Sequence, residues 1–414
     1  MKAVMTSFGP YLRFVRDNAP YLAVGALMMM LSSFGQTFFI AIFGGEIRAE
    51  FGLSNGDWGL IYMAGTALSA LLMLVAGGLV DRYRVRSIGL LTVGFLALTC
   101  FAMAVNSYAA ILPVIIFALR FLGQGMVSHI AVVAMARWFV ATRGRALAIA
   151  SLGFMLAEGI LPLTLVGLKT VFTWQQLWIG CGIFTLLCIP LLHRMLRLER
   201  TPQSVADETE AFGMDDRHWT RGDALRHPLF WALTPALMLF PAFGTAFWFH
   251  QVHFAQIKGW EHLSLVAVFP IGTLTFMVST FAYGWAIDRF GAGKLFPIYL
   301  LPLCLAFSLH AYAPTVAWSA VGVVLMGLAG GGQATLPVAV WAEFYGTRNI
   351  GSIKAAVAAV MVLGSAIGPG LSGWLIDQGF DFERQLLVYA ASFFFASAVT
   401  VIPLRQAALR RGAQ

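Results

Sequence analysis

Twelve runs of about twenty mostly apolar residues divide this chain, and they constrain its fold more than any other feature. They lie at about residues 21–44, 57–80, 87–106, 109–135, 146–168, 174–193, 228–250, 263–287, 294–312, 315–340, 352–375 and 385–404. As a helix rising 1.5 Å per residue, each is long enough to cross ~30 Å of hydrocarbon. There a backbone N–H or C=O has no partner outside its own protein, which leaves helices or closed barrels, and these runs are far too long for barrel strands. Composition agrees. Hydrophobic residues make up 59% of the chain and charged residues 11%, against roughly 25% charged in soluble domains, so polar surface is too scarce to cover a globule in water. The expected fold is all-α and integral to a membrane, with twelve transmembrane helices.

The runs form two copies of one unit. The turn Gly77-Gly78-Leu79-Val80-Asp81-Arg82 has a counterpart 207 residues later, Gly284-Trp285-Ala286-Ile287-Asp288-Arg289, again between two apolar runs. Gly123 with Gly330, Gly125 with Gly332, Gly144 with Gly351 and Pro162 with Pro369 keep that offset. A fixed period marks duplicated architecture. Two parallel six-helix repeats are expected at residues 1–196 and 228–414, joined by a cytoplasmic linker at 197–227. The acid-rich stretch from Arg194 to His227 has few branched apolar residues, which predicts partial disorder, with Thr220–Arg226 as a short helix leading into the seventh span.

Charge sets the orientation. Of 27 Lys and Arg, only Arg48, Lys169, Lys258 and Arg384 fall on one side, Arg120 lies within a span, and the rest fall on the other side with both termini. Basic loops stay in the cytoplasm, so the expectation is a multi-pass protein of the inner membrane with both termini cytoplasmic. The net charge of +8 therefore reads as membrane orientation and not as nucleic-acid binding. The basic N-terminal start followed by an apolar run reads as a retained span, because no small-residue cleavage pattern precedes Glu46. Cys100, Cys181, Cys188 and Cys304 all lie in apolar runs without metal-ligand spacing, so neither disulfide, metal nor cofactor is expected. Nor does any cluster of His, Asp or Glu at a membrane surface suggest an enzyme, and no loop is long enough for a catalytic or signalling domain.

The turn at Gly77–Arg86 resembles the loop between spans 2 and 3 of the major facilitator superfamily. Arg120-Phe121-Leu122-Gly123-Gln124-Gly125 is similar to that superfamily's span 4 motif, and Gly364-Ser365-Ala366-Ile367-Gly368-Pro369-Gly370 to its Gly-Pro motif, here in span 11. Arg137-Trp138-Phe139 with Arg143-Gly144-Arg145-Ala146 looks most like the monocarboxylate and oxalate–formate branch, although span 8 lacks that branch's basic residue. The resemblance implies a monomeric secondary transporter working by alternating access. Its expected cargo is a small organic solute, an organic anion such as a monocarboxylate, moved together with protons. The other reading is an exporter of drugs or apolar metabolites. The resemblance also implies a cytoplasmic latch of Gly77, Asp81, Arg82 and Arg86 against the start of span 11, with Asp288 and Arg289 as its poorer copy, since Gly291 and Gly293 stand where Arg84 and Arg86 do.

Charge inside a membrane is costly, so ionisable residues within spans are the first functional candidates. Among nineteen acids only Glu158 is mid-span, and among bases only Arg120. Their repeat counterparts are uncharged, Ser365 and Gly327. Arg120 is the candidate anion contact or a buried brace; Glu158 is the candidate proton-coupling group, with His129 as a second. Gln36, Gln124 and Gln333 are candidate substrate contacts, on spans that line the cavity in the superfamily. Gly153, Gly159, Gly364, Gly368 and Gly373 predict close helix approach at a seam where the halves rock.

Overall fold

The computed structural model describes residues 13–139, 142–197 and 212–412, without the side chains at 81, 143, 351, 411 and 412. Among the described residues every regular element is helical. In chain order the spans are α1 (19–42), α2 (Asn55–Ala76), α3 (Val85–Val105), α4 (Ala109–Trp138), α5 (Arg143–Leu168), α6 (Trp174–Leu196), α7 (Pro228–Phe249), α8 (His262–Phe290), α9 (Leu301–Tyr312), α10 (Val316–Tyr345), α11 (Ile350–Asp377) and α12 (Phe382–Gly412). Ten are long and apolar enough to cross a membrane as single helices. The other two, α1 and α9, contain shorter apolar helices, Ala19–Gly35 and Leu301–Tyr312.

Local sequence explains where helices start and stop. Ser54 and Asp57 form a reciprocal capping box at the start of α2, and Thr173 and Gln176 another at α6, each satisfying two orphan amides. Gly346 and Gly379, both at φ +80°, follow α10 and α11, a conformation that costs glycine nothing. Three interruptions matter more. In α1, a 3-10 turn at Ser32–Gly35 leads to Gln36, which is extended (φ −87°, ψ 154°), before helix resumes at Thr37–Ile42. Residues Arg120–Val127 of α4 and Phe240–Gly244 of α7 are π-helical. At Pro241 the missing amide accounts for the wide turn.

Each half repeats one packing scheme. In the first, α1 packs on α5, α3 on α6 and α2 on α4; in the second, α7 packs on α11, α9 on α12 and α8 on α10. The halves meet where α2 lies along α11, α5 along α8, and α1 against α7. Leu74, Val75, Val105, Val278, Phe281 and Phe395 are exposed, the lipid-facing surface that the composition requires.

Residues 198–211, the first part of the linker, lie outside the described residues. The rest is packed. Met214 and Trp219 are buried, Trp219 donates its amide to Tyr345 O (3.1 Å) and its indole to Met214 O (3.1 Å), and Asn349 Nδ2 donates to Trp219 O (3.1 Å). Two apolar anchors in a polar stretch are enough to dock it. The short helix appears at Arg221–Arg226, capped by Thr220 and Asp223, whose hydrogen bonds from Thr220 hold the Asp223 carboxyl below its ordinary pKa.

The glycine expectation needs correction. Gly153 packs against Ala26 of α1, and Gly364 and Gly368 against Met238 and Ala242 of α7, each within its own half. Only Gly159, against Thr273, and Gly373, against Asn55 and Gly56, face the other half. Small residues report close approach, not which helix approaches.

Candidate functional site

A cavity of about 560 Å³ lies between the halves. Gln36, Thr37 and Phe38 at the break in α1, Gln124 of α4, and Phe154 and Glu158 of α5 form one wall. The facing wall comes from α7 (Phe240, Pro241, Thr245, Trp248), α8 (Phe269, Thr273, Phe276), α10 (Met326, Gly327, Gln333) and α11 (Met361, Ser365). Its character is aromatic and thioether with scattered hydroxyls and amides. Among the described lining residues one is ionisable, Glu158.

Four sequence candidates therefore meet here: Gln36, Gln124, Gln333 and Glu158. Gln333 is already engaged, accepting from Tyr299 OH at 2.9 Å and directing Nε2 at Met361 S at 3.9 Å. Glu158 and its repeat counterpart Ser365 share the cavity, and so does Gly327, the counterpart of Arg120. Among the described residues Glu158 has no hydrogen-bond or ion-pair partner.

Arg120 does not line the cavity. It is 1% exposed, donates Nη1 to Gly35 O (3.0 Å) and Thr37 Oγ1 (3.4 Å), and lies 5.1 Å from the centre of the Tyr62 ring. Its Nε is buried without a partner among the described residues. The guanidinium thus sits at the carbonyl end of the first helical segment of α1, where a cation is favoured by the helix dipole. Backbones are tight at this break. A Cβ on Gly123 would come 2.7 Å from Gly35 Cα. If Arg120 braces the broken helix, Arg120→Met is expected to cost about 2 kcal/mol, the scale of charge-assisted hydrogen bonds, and to weaken acidic and neutral solutes alike. Thermal unfolding in detergent and parallel binding titrations measure both effects.

His129 also lies away from the cavity: its Nε2 is 3.2 Å from Gly77 O, tying α4 to the end of α2. At the first repeated turn, Arg137 Nη1 donates to Val80 O (2.8 Å) and Arg86 Nη2 lies 3.0 Å from His193 Nε2, while Arg82 is exposed. The Asp81 side chain falls outside the described residues. At the second turn Asp288 is exposed with no partner among the described residues, and Arg289 lies over Trp285 and Phe290. There Glu343 of α10 accepts from the amides of Ala292 (2.8 Å) and Gly293 (3.2 Å).

Opposite the basic loops, the halves close on one another. Asp377, at the end of α11, accepts from the Gly56 amide in the first turn of α2 (2.8 Å). Trp58 stacks on Phe249 (5.6 Å between centres), and Tyr62 packs on the same ring at 4.6 Å. Gln251 Nε2 donates to Phe38 O (3.4 Å). The sequence reading missed Asp377, Tyr62 and Thr37. Its place as the first acid after the Gly364–Gly373 stretch was a usable signal for Asp377; for a neutral Tyr and Thr there was none.

A family model described as Major Facilitator Superfamily matches residues 25–283 and 271–411. Over 93 residues, 22% of this chain and only 17% of the relative, the sequence is 38% identical to a protein named Multidrug resistance protein B homolog from Mycobacterium tuberculosis. Among solved structures the fold is similar to a bacterial homologue of the human lysosomal transporter Spinster, inward-facing and unoccupied, with a TM-score of 0.66, 17% identity, and 95% of this chain and 96% of that chain covered. It is also similar to a variant of the nucleoside transporter NupG, with a TM-score of 0.66, 12% identity, and 94% and 99% covered.

Proposed function

The chain belongs to the Major Facilitator Superfamily, and from that premise we propose that it is a secondary transporter exporting a lipophilic organic cation in exchange for protons. One observation carries this reading: among the described residues the cavity's single ionisable residue is an acid, and it has no protein partner. A carboxylate in so apolar a site requires a counter-charge or a proton. A cation and a proton then compete for Glu158, and competition for one group is what exchange requires. Aromatic faces at Phe154, Phe240, Trp248, Phe269 and Phe276 suit a cation with an apolar body. The name of the Mycobacterium relative points the same way.

A monocarboxylate is less well served. Its expected anchor, Arg120, is turned to the break in α1, so an anion would meet Glu158 without a compensating base. The basic loops assign their side to the cytoplasm, which makes the closed seam at Asp377 and Gly56 the outer one. Alternating access then consists of opening that seam while the cytoplasmic side closes.

The test is transport in proteoliposomes under an imposed pH gradient, comparing tetraphenylphosphonium and ethidium with benzoate. Movement of the cations coupled to opposite proton flow is the expected result. Arg120-dependent accumulation of benzoate, with the cations inert, would replace this reading by the anion reading.

A further inference from the structure

We infer that Tyr62 is the positioning residue through which the cavity wall sets the state of the outer seam. The inference rests on alternating access but not on the class of solute. Tyr62 is fully buried and has three partners in three different places. Its hydroxyl is hydrogen-bonded to Thr37 Oγ1, and Thr37 lines the cavity just past the break in α1. Its ring takes the Arg120 guanidinium at 5.1 Å, and Arg120 in turn holds Gly35 O on the other side of the break. The same ring packs at 4.6 Å on Phe249 of α7, in the opposite half, beside the Trp58–Phe249 stack.

These contacts form one continuous connection from solute-facing backbone to inter-half gate. A solute that pulls Gln36 or Thr37 shifts the Thr37 hydroxyl on which the Tyr62 hydroxyl is held. If the hydroxyl oxygen is displaced, the ring must tilt with it, since Oη is fixed on the long axis of the ring, and Phe249 loses the surface against which the seam is closed. Closely packed interfaces switch between discrete arrangements rather than deform gradually, so a small displacement at Thr37 selects between seam closed and seam open. Spatial continuity alone does not establish coupling; non-additive mutational effects do.

Tyr62→Phe keeps the ring, its packing on Phe249 and its contact with Arg120, and deletes only the bond to Thr37. Thr37→Val deletes the same bond from the cavity side together with the 3.4 Å contact from Arg120 Nη1, and Thr37→Ser retains both. Hydrogen exchange read by mass spectrometry in detergent-solubilised, ligand-free protein reports seam opening in peptides covering residues 52–62 and 366–380. Expected are at least threefold faster exchange in Tyr62→Phe and in Thr37→Val, no further acceleration in the double variant, and wild-type exchange in Thr37→Ser. Unchanged exchange in Tyr62→Phe reduces Tyr62 to packing and overturns the inference, as does additivity in the double variant. A second arm adds tetraphenylphosphonium. Wild type should change seam exchange on binding, whereas Tyr62→Phe should bind within threefold of wild type and show no change at the seam. If the wild-type protein does not bind this cation, the proposed solute class falls, and the ligand-free arm still decides the role of Tyr62.

Discussion

Glu158→Gln is expected to abolish proton-driven export of tetraphenylphosphonium from proteoliposomes while the protein remains folded. Gln keeps the shape and hydrogen-bonding capacity of the protonated acid but can neither release a proton nor offer a negative charge. Losing a charge-assisted contact in a site shielded from water costs about 3 kcal/mol, so affinity for the cation should fall by roughly 100-fold. Affinity for an uncharged solute of similar shape should change little. The pH dependence has a fixed sign. Protonation removes the charge that holds the cation, so apparent affinity drops as pH falls through the range where Glu158 titrates, by at most about tenfold per pH unit if one proton is displaced. Binding titrations at several pH values give this slope for wild type, and the Gln variant should be flat. A Gln variant that still accumulates the cation against a gradient would remove Glu158 from the coupling mechanism.

Gly59→Val should be nearly as damaging by a different route. A Cβ at Gly59 would lie 2.6 Å from Pro369 O and 3.1 Å from Gly370 Cα, both on the facing helix of the other half. Backbone cannot retreat as a flexible side chain can. The two halves each keep their own packing, so the variant should insert and fold, but the outer seam cannot reach the closed arrangement that Asp377 and the Gly56 amide hold together. Turnover below a tenth of wild type is expected, with the cavity open to membrane-impermeant reagents added from outside. Normal turnover, or an unchanged reactivity of cavity cysteines introduced by mutation, would show that the seam is not part of the cycle. Gly59→Ala should be intermediate, because its single methyl meets the same carbonyl with less bulk behind it.

The sequence by itself determined the solvent, the helices and the duplication. Lipid imposes a length and an apolar character on any spanning segment, and those are local properties that survive in a one-dimensional reading; ten of the twelve expected runs can be matched to single helices without knowing what touches them, while α1 is broken at Gln36 and α9 begins later, at Leu301. The same reading singled out Glu158, because an acid far from either end of an apolar run is conspicuous in sequence. It had no means of separating Arg120 from Glu158. Both are lone charges at similar depth on neighbouring spans, yet one is turned to the carbonyl end of a broken helix and the other to the cavity. That distinction depends on the direction of two side chains, which follows from a π-turn in α4 and an extended Gln36 in α1, neither marked by proline. The outer seam was equally hidden. Asp377 and Gly56 are 321 positions apart, and the Thr37, Tyr62 and Phe249 connection uses neutral residues of kinds common in any membrane helix. Apolar periodicity fixes where a helix can lie in a bilayer, whereas its rotation and its neighbours are fixed by packing, and only the tertiary structure decides those.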